Sequence, residues 1–153
     1  MARADRFTTR SNQPIVYRDF VVPFIRDPTT DSILTVVNER AVQQEIANIV
    51  LTIRGERFYN SAFGSRTNAM LFEPMNENTA TLLRDEIKQS LNNYSTRANN
   101  PIVTVTPNED ANGYIVNVQF TIINIQQQFS VDIFLQRVRH NKSFQTIHLI
   151  LST

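Results

Sequence analysis

Two carboxylates, Glu56 and Glu73, are the side chains whose types and spacing most invite a reaction, because glycoside hydrolysis needs two acidic groups roughly 5–9.5 Å apart across the scissile bond. Glu56 lies between Gly55 and Arg57, and Glu73 lies between Phe72 and Pro74. Those neighbours equally suit carboxylates that finish a helix end or pair with an arginine. A nucleophilic serine in a sharp turn is sought at Gly64 and Ser65, but no second glycine and no histidine stands nearby. The two histidines, His140 and His148, sit near the end of the chain and would need carboxylate help to hold a metal. With no cysteine, disulfides, thiolate chemistry and cysteine-ligated zinc are excluded together. Three glycines in the whole chain leave no segment able to cradle a phosphate as a P-loop does. These patterns assign no catalytic residue, no metal ligand and no cofactor, and a protein that is not an enzyme is expected.

The bulk composition agrees with a binding or structural role. A chain of 153 residues fits one domain, and its 41% hydrophobic and 19% charged content is that of an ordinary globular protein. No apolar run is long enough for a transmembrane helix, and residues 1–13 carry three arginines without an apolar block. A soluble chain kept in a cytoplasm is therefore expected, with no membrane partner. The net charge of +1 gives no long-range pull toward nucleic acid. Arg137, Arg139 and Lys142 do make the end of the chain basic, with no carboxylate side chain beyond Asp132.

The elements that must position any site follow from periodicity. Residues 1–35 contain Pro14, Pro23 and Pro28 with apolar clusters between them, which suits an extended arm lying on another surface. Asn38 is placed to cap a helix from Glu39, with Val42, Ile46, Ile49, Val50 and Ile53 on one face and Gly55 as the stop. A second helix is predicted from Asn78 or Thr79, aligning Leu83, Ile87, Leu91 and Tyr94. After Pro101 the period changes to two, and Asn112 with Gly113 supplies a hairpin turn tolerant of positive φ. Tyr114, Val116, Val118, Phe120 and Ile122 alternate along the next strand, and Phe129, Val131, Ile133 and Leu135 along another, reached through a turn at residues 126–128. A short apolar run over residues 144–151 closes the chain. The expected fold is α+β: two main helices on one face of an antiparallel meander, with extended N- and C-terminal arms.

One stretch is distinctive in combination. Leu51, Thr52, Ile53, Arg54, Gly55, Glu56 and Arg57, then Phe63, Gly64 and Ser65, then Leu71, Phe72 and Glu73, resemble the small wedge proteins of contractile phage baseplates. That family includes sheath initiators, P2-like wedge proteins and a type VI secretion relative. Tyr17, Arg18, Asp19 and Phe20, residues 27–31, and the run Phe134, Leu135, Gln136, Arg137, Val138, Arg139 extend the resemblance from about residue 17 to 139. The family carries Glu-Pro-Arg between the second helix and the first strand, where this chain has Asn100, Pro101 and Ile102, so only the proline is kept and Arg97 is the residue available as a substitute.

The resemblance implies an arm (residues 1–35), a wedge or sheath-initiator core (36–139) and a tail (140–153). It implies Thr52, Gly55, Glu56, Arg57, Phe63, Gly64, Phe72, Glu73 and Pro101 as motif residues with structural roles. Tyr17, Asp19, Phe20, Arg97, Arg137 and Arg139 are the candidate interface residues. The implied function is nucleation of the sheath, with six copies around the tail tube, in a virion baseplate assembled in the host cytoplasm. The implied partners are sheath protein, other wedge proteins and tail-tube or hub proteins. A peptidoglycan hydrolase of the baseplate and a type VI secretion baseplate subunit are the alternatives.

Overall fold

In the computed structural model the described residues are 17–137, apart from Pro23 and Asn124. Helix α1 (Glu39–Leu51) buries Val42, Ile46, Ile49 and Val50, the stripe that the 3.6-residue period marks out. It ends four residues before Gly55, because both the amide and the hydroxyl of Thr52 donate to the Asn48 carbonyl, at 3.0 and 2.6 Å, and Thr52 turns extended. Ile53, expected in the core, consequently leaves the helical stripe and is 42% exposed. Asn38 sits at the expected start but its side chain does not cap α1. Its Oδ1 accepts from the Tyr17 amide at 3.3 Å, while its own amide donates to the Tyr17 carbonyl at 2.8 Å.

Preceding α1, strands β1 (Arg18–Phe20) and β2 (Thr35–Val37) pair antiparallel, and a further bridge joins Arg26 to Ile33. The described part of the N-terminal segment is thus a folded-back ribbon, turned by Asp27, whose carboxylate accepts from the Thr29 amide at 2.8 Å. That bond holds the Asp27 carboxyl below its ordinary range. Gln44 of α1 anchors the ribbon, donating to the Phe20 carbonyl at 2.7 Å and accepting from the Val22 amide at 3.3 Å.

A short helix α2 (Thr67–Met70), not foreseen from periodicity, leads to α3 (Glu77–Tyr94). The true cap of α3 is Asn76, whose side chain accepts from the Thr79 amide at 2.8 Å, so the helix starts slightly before the expected point. Strands β3 (Ala98–Asn108), β4 (Gly113–Ile122) and β5 (Ile125–Gln136) form an antiparallel meander in the order β3-β4-β5. Cross-strand rows such as Val103, Val118 and Val131, or Val105, Val116 and Ile133, face the helices. Helix α3 lies over β3 and α1 over β5, closing one core that contains Ile46, Ile49, Leu83, Ile87, Val116 and Val118.

Two turn expectations change. Asn112 takes the positive φ of 49°, while Gly113 is needed for closeness, since a Cβ there would stand 2.5 Å from the Leu135 carbonyl oxygen. Residues 126–128 belong to β5 rather than to a turn. Gln128 pairs with Thr121 and donates to the Gln119 side chain at 3.1 Å, so a polar outer face carries the ladder through the glutamine run. The run at residues 144–151 lies outside the described residues. Among the described residues, no helix is long and apolar enough to cross a membrane.

Candidate functional site

The motif residues between α1 and α3 form a cross-braced connection. Gly55 and Gly64 have φ of 96° and 104°, the left-handed region that a side chain penalises. Arg54 donates to the Ser65 carbonyl at 3.1 Å and Ser65 to the Thr52 carbonyl at 2.9 Å, which makes the parallel bridge between Ile53 and Ser65. The Gly55 amide donates to Ser61 at 2.8 Å and closes the intervening loop. Glu56 holds that loop from below: its carboxylate accepts from the Ile53 amide at 3.1 Å. The Arg57 guanidinium stacks on the Phe63 ring at 3.8 Å, Phe63 meets Tyr94 with ring centroids 5.1 Å apart, and the Tyr94 hydroxyl donates to the Ala62 carbonyl. At the loop tip Phe58 and Tyr59 are fully exposed.

Ser65 is no nucleophile in this setting. Its hydroxyl is buried and donates to the Val50 carbonyl at 2.7 Å, joined there by Thr67 at 3.1 Å, so both complete the last turn of α1. Thr52 does the same for Asn48. Phe72 is exposed, and its carbonyl accepts from Arg137 Nη2 at 2.9 Å, which ties the end of β5 to the segment after α2. Glu73 is exposed, and Pro101 is buried within β3. Arg139 and both histidines lie outside the described residues.

Beside the connection is a groove of about 280 Å³ lined in part by Asp19, Glu45, Arg57, Phe63, Tyr94 and Arg97. It gathers four of the candidate interface and motif residues, Asp19, Arg57, Phe63 and Arg97. It also brings in Glu45, a residue that sequence reading missed. The Glu45 carboxylate accepts from Arg97 Nε at 3.1 Å and from Ser95 Oγ at 2.9 Å. Arg97 also stands 5.5 Å over the Tyr17 ring, and its Nη1 is buried with no partner among the described residues. Glu86 is a second missed carboxylate, accepting from Arg54 at 3.4 Å and from the Arg66 amide at 3.1 Å. Only the helical period of α1 and α3 hinted at either, by putting a carboxylate at the edge of each apolar stripe. Their partners are 32 and 52 residues away in sequence, judged from Arg54 to Glu86 and Glu45 to Arg97.

Neither Glu56 nor Glu73 lines this groove. Among the described residues, no three histidine, aspartate or glutamate side chains are gathered to hold a metal. The arrangement braces a loop and leaves beside it a groove with charged and aromatic walls.

Residues 36–127 match the family described as baseplate wedge protein gp25. The chain is 29% identical over 85 residues to baseplate wedge protein gp25 of Enterobacteria phage T4; the match covers 56% of this chain and 64% of that protein, just under two thirds of its length. The fold is similar to that of a candidate tail lysozyme from Geobacter sulfurreducens, with 24% identity and a TM-score of 0.58 over 66% of this chain and 94% of the other. It is also similar to a chain of the anti-feeding prophage baseplate, with 16% identity and a TM-score of 0.55 over 82% and 89%. A chain of the type VI secretion baseplate complex is 15% identical, with a TM-score of 0.50 over 64% and 93%.

Proposed function

The chain belongs to the baseplate wedge protein gp25 family, and from that membership we propose that it is a structural subunit of a contractile phage tail baseplate that starts sheath growth by offering sheet edges to the first sheath subunits. The observation that carries the finer part is the three-stranded meander: among the described residues, β3 and β5 each pair on one side only, with β4 between them. An extended arm added to such an edge gains backbone hydrogen bonds of about 1 kcal/mol net apiece. Six copies around a tail tube would multiply contacts that are weak singly.

The remaining surfaces suit neighbours in a wedge. The ribbon exposes Phe20, Val22, Phe24, Ile25 and Ile33 together, a patch that water disfavours and a protein partner would cover. The groove at Arg57 and Arg97 lies on the same side of α1 as Asp19 of the ribbon and fits a polar contact next to that patch. Other wedge proteins are the proposed occupants of the patch and groove, with tail-tube or hub proteins and sheath protein as the further partners.

Particles lacking this subunit test the reading directly. Electron micrographs should show tail tubes on which sheath subunits remain unpolymerised, and supplying the chain should restore sheath. Sheath of normal length on baseplates without the subunit would overturn the nucleating role.

A further inference from the structure

We propose that Phe58 and Tyr59 are a preformed anchor by which the chain docks into an apolar cleft with an acidic rim on another protein of the baseplate. Both side chains are fully exposed, and among the described residues the next most exposed large hydrophobic side chain, Phe24, reaches only 71%. Neither ring meets another ring among the described residues. They add nothing to the core, and water disfavours them where they stand.

The loop that carries them is nevertheless fixed. The Gly55 amide donates to the Ser61 carbonyl at 2.8 Å and the Phe63 amide to the Asn60 carbonyl at 3.1 Å, which closes the turn on both sides of the tip. The Glu56 amide donates to the Ile53 carbonyl at 3.0 Å, while its carboxylate accepts from the Ile53 amide. Phe63 is in contact with both the Arg57 guanidinium and the Tyr94 ring, and the Tyr94 hydroxyl ties Ala62 to α3. A loop that merely joined two helices would gain nothing from holding its tip away from apolar surface. A docking loop does gain, because side chains placed before binding lose little freedom on binding, and aromatic rings with two side-chain torsions have little to lose.

The charge beside the tip sets the chemistry of the partner. Residues 54–66 contain three arginines and one carboxylate. Glu86 answers Arg54, and Glu56 is turned onto a backbone amide. Arg57, directly before Phe58, is left with no ion pair among the described residues. It also lines the groove beside the loop, where Arg97 Nη1 lacks an acceptor. The carboxylates of that groove are engaged, Glu45 with Arg97 and Ser95 and Asp19 with the Phe20 amide. An acidic side chain on the partner therefore finds a guanidinium next to the cleft that takes the rings. A bilayer fits less well, since a pair of rings on a short loop lacks the long apolar face that interfacial binding requires. That the partner belongs to the baseplate rests on the placement proposed above, whereas docking of the tip on a protein does not.

Photocross-linking in assembled particles tests the anchor. With benzoylphenylalanine in place of Tyr59, irradiation of purified baseplates should join the full chain to a protein other than itself. Mass spectrometry of the joined peptides should place the contact in an apolar cleft flanked by aspartate or glutamate. Cross-links only between copies of this chain, or none in baseplates that contain it, overturn the proposal. Baseplates that never contain the chain, parent or labelled, would instead reject its placement in the tail. Phe58→Ser with Tyr59→Ser should leave the melting temperature unchanged and lower incorporation about tenfold or more in competition with the parent chain. Tyr94→Phe keeps both tip rings and removes only the hydroxyl that holds Ala62, so it should give a smaller loss. Parental incorporation of the tip variant overturns the anchor, and parental incorporation of Tyr94→Phe overturns its being preformed. Sedimentation of the parent chain with phosphatidylcholine and phosphatidylglycerol vesicles, abolished in the tip variant, would make the tip a lipid anchor and reject docking on a protein.

Discussion

A Cβ on Gly64 would lie 2.4 Å from the carbonyl oxygen of Thr52, the same carbonyl that accepts from Ser65 at 2.9 Å. The end of α1 and the strand-like return at Ser65 therefore touch backbone to backbone. Gly64→Ala meets both that contact and a φ of 104°, and should cost at least about 1–3 kcal/mol. Gly55 has a similar φ of 96° but nothing within 4 Å, so Gly55→Ala should cost only about 1–2 kcal/mol. Denaturant melts of the two variants check the ordering, and a Gly55 variant less stable than the Gly64 variant would contradict it.

Ile87 is completely buried in the shared core of helices and sheet, whereas Ile53 stands outside the α1 stripe at 42% exposure. Ile87→Ala should destabilise by roughly 2–5 kcal/mol. Ile53→Ala should stay within about 1 kcal/mol. Equal losses in thermal melts would mean that Ile53 packs as the helical period alone suggests.

That pair also shows where the sequence was legible. Periodicity depends on near neighbours, so α1, α3 and the alternation of β4 and β5 could be read, with Ile46, Leu83 and Val116 assigned to one core. What failed depended on distant partners. Asn38 has the residue type of a cap, but the Tyr17 amide, 21 residues earlier, takes its Oδ1. The glutamine run has the composition of a turn, but pairing with β4 decides its conformation. The folding back of the ribbon and the groove around Glu45 and Arg97 rest on contacts that no local pattern encodes, and family resemblance pointed only to some of the residues involved.

Glu45 and Arg97 join the connection between α3 and β3 to the middle of α1, both partly shielded from water. Glu45→Ala should cost about 1–3 kcal/mol, because it removes charge-assisted bonds from Arg97 and Ser95. In a double-mutant cycle with Arg97→Met, the second substitution should cost less in the absence of Glu45 than in its presence. Additive losses would show that the two side chains act independently.

Glu56→Gln and Glu73→Gln test the hydrolase alternative. Glu56 braces the loop through the Ile53 amide, an interaction a glutamine oxygen retains in weaker form. Both variants should match the parent chain in a peptidoglycan digestion assay, and neither should lose the capacity to build baseplates. Digestion by the parent chain that is abolished in these variants would make the protein an enzyme.

The ribbon gives the last prediction, because its exposed residues separate folding from docking. Phe20 and Phe24 lie with ring centroids 6.2 Å apart and are 51% and 71% exposed, so they contribute little to the described core. The backbone around them is held instead by β2 and by Gln44, whose bonds run to main-chain atoms that substitution leaves in place. Phe20→Ser with Phe24→Ser should therefore leave the melting temperature nearly unchanged. Buried against a wedge neighbour, the same two rings would dominate the contact, as aromatic anchors do in protein interfaces. Incorporation of the double variant into baseplates, measured by competition with the parent chain during assembly, should fall severely. Equal incorporation would place the wedge contact elsewhere, and a large loss of melting temperature would move these phenylalanines from the interface into the fold.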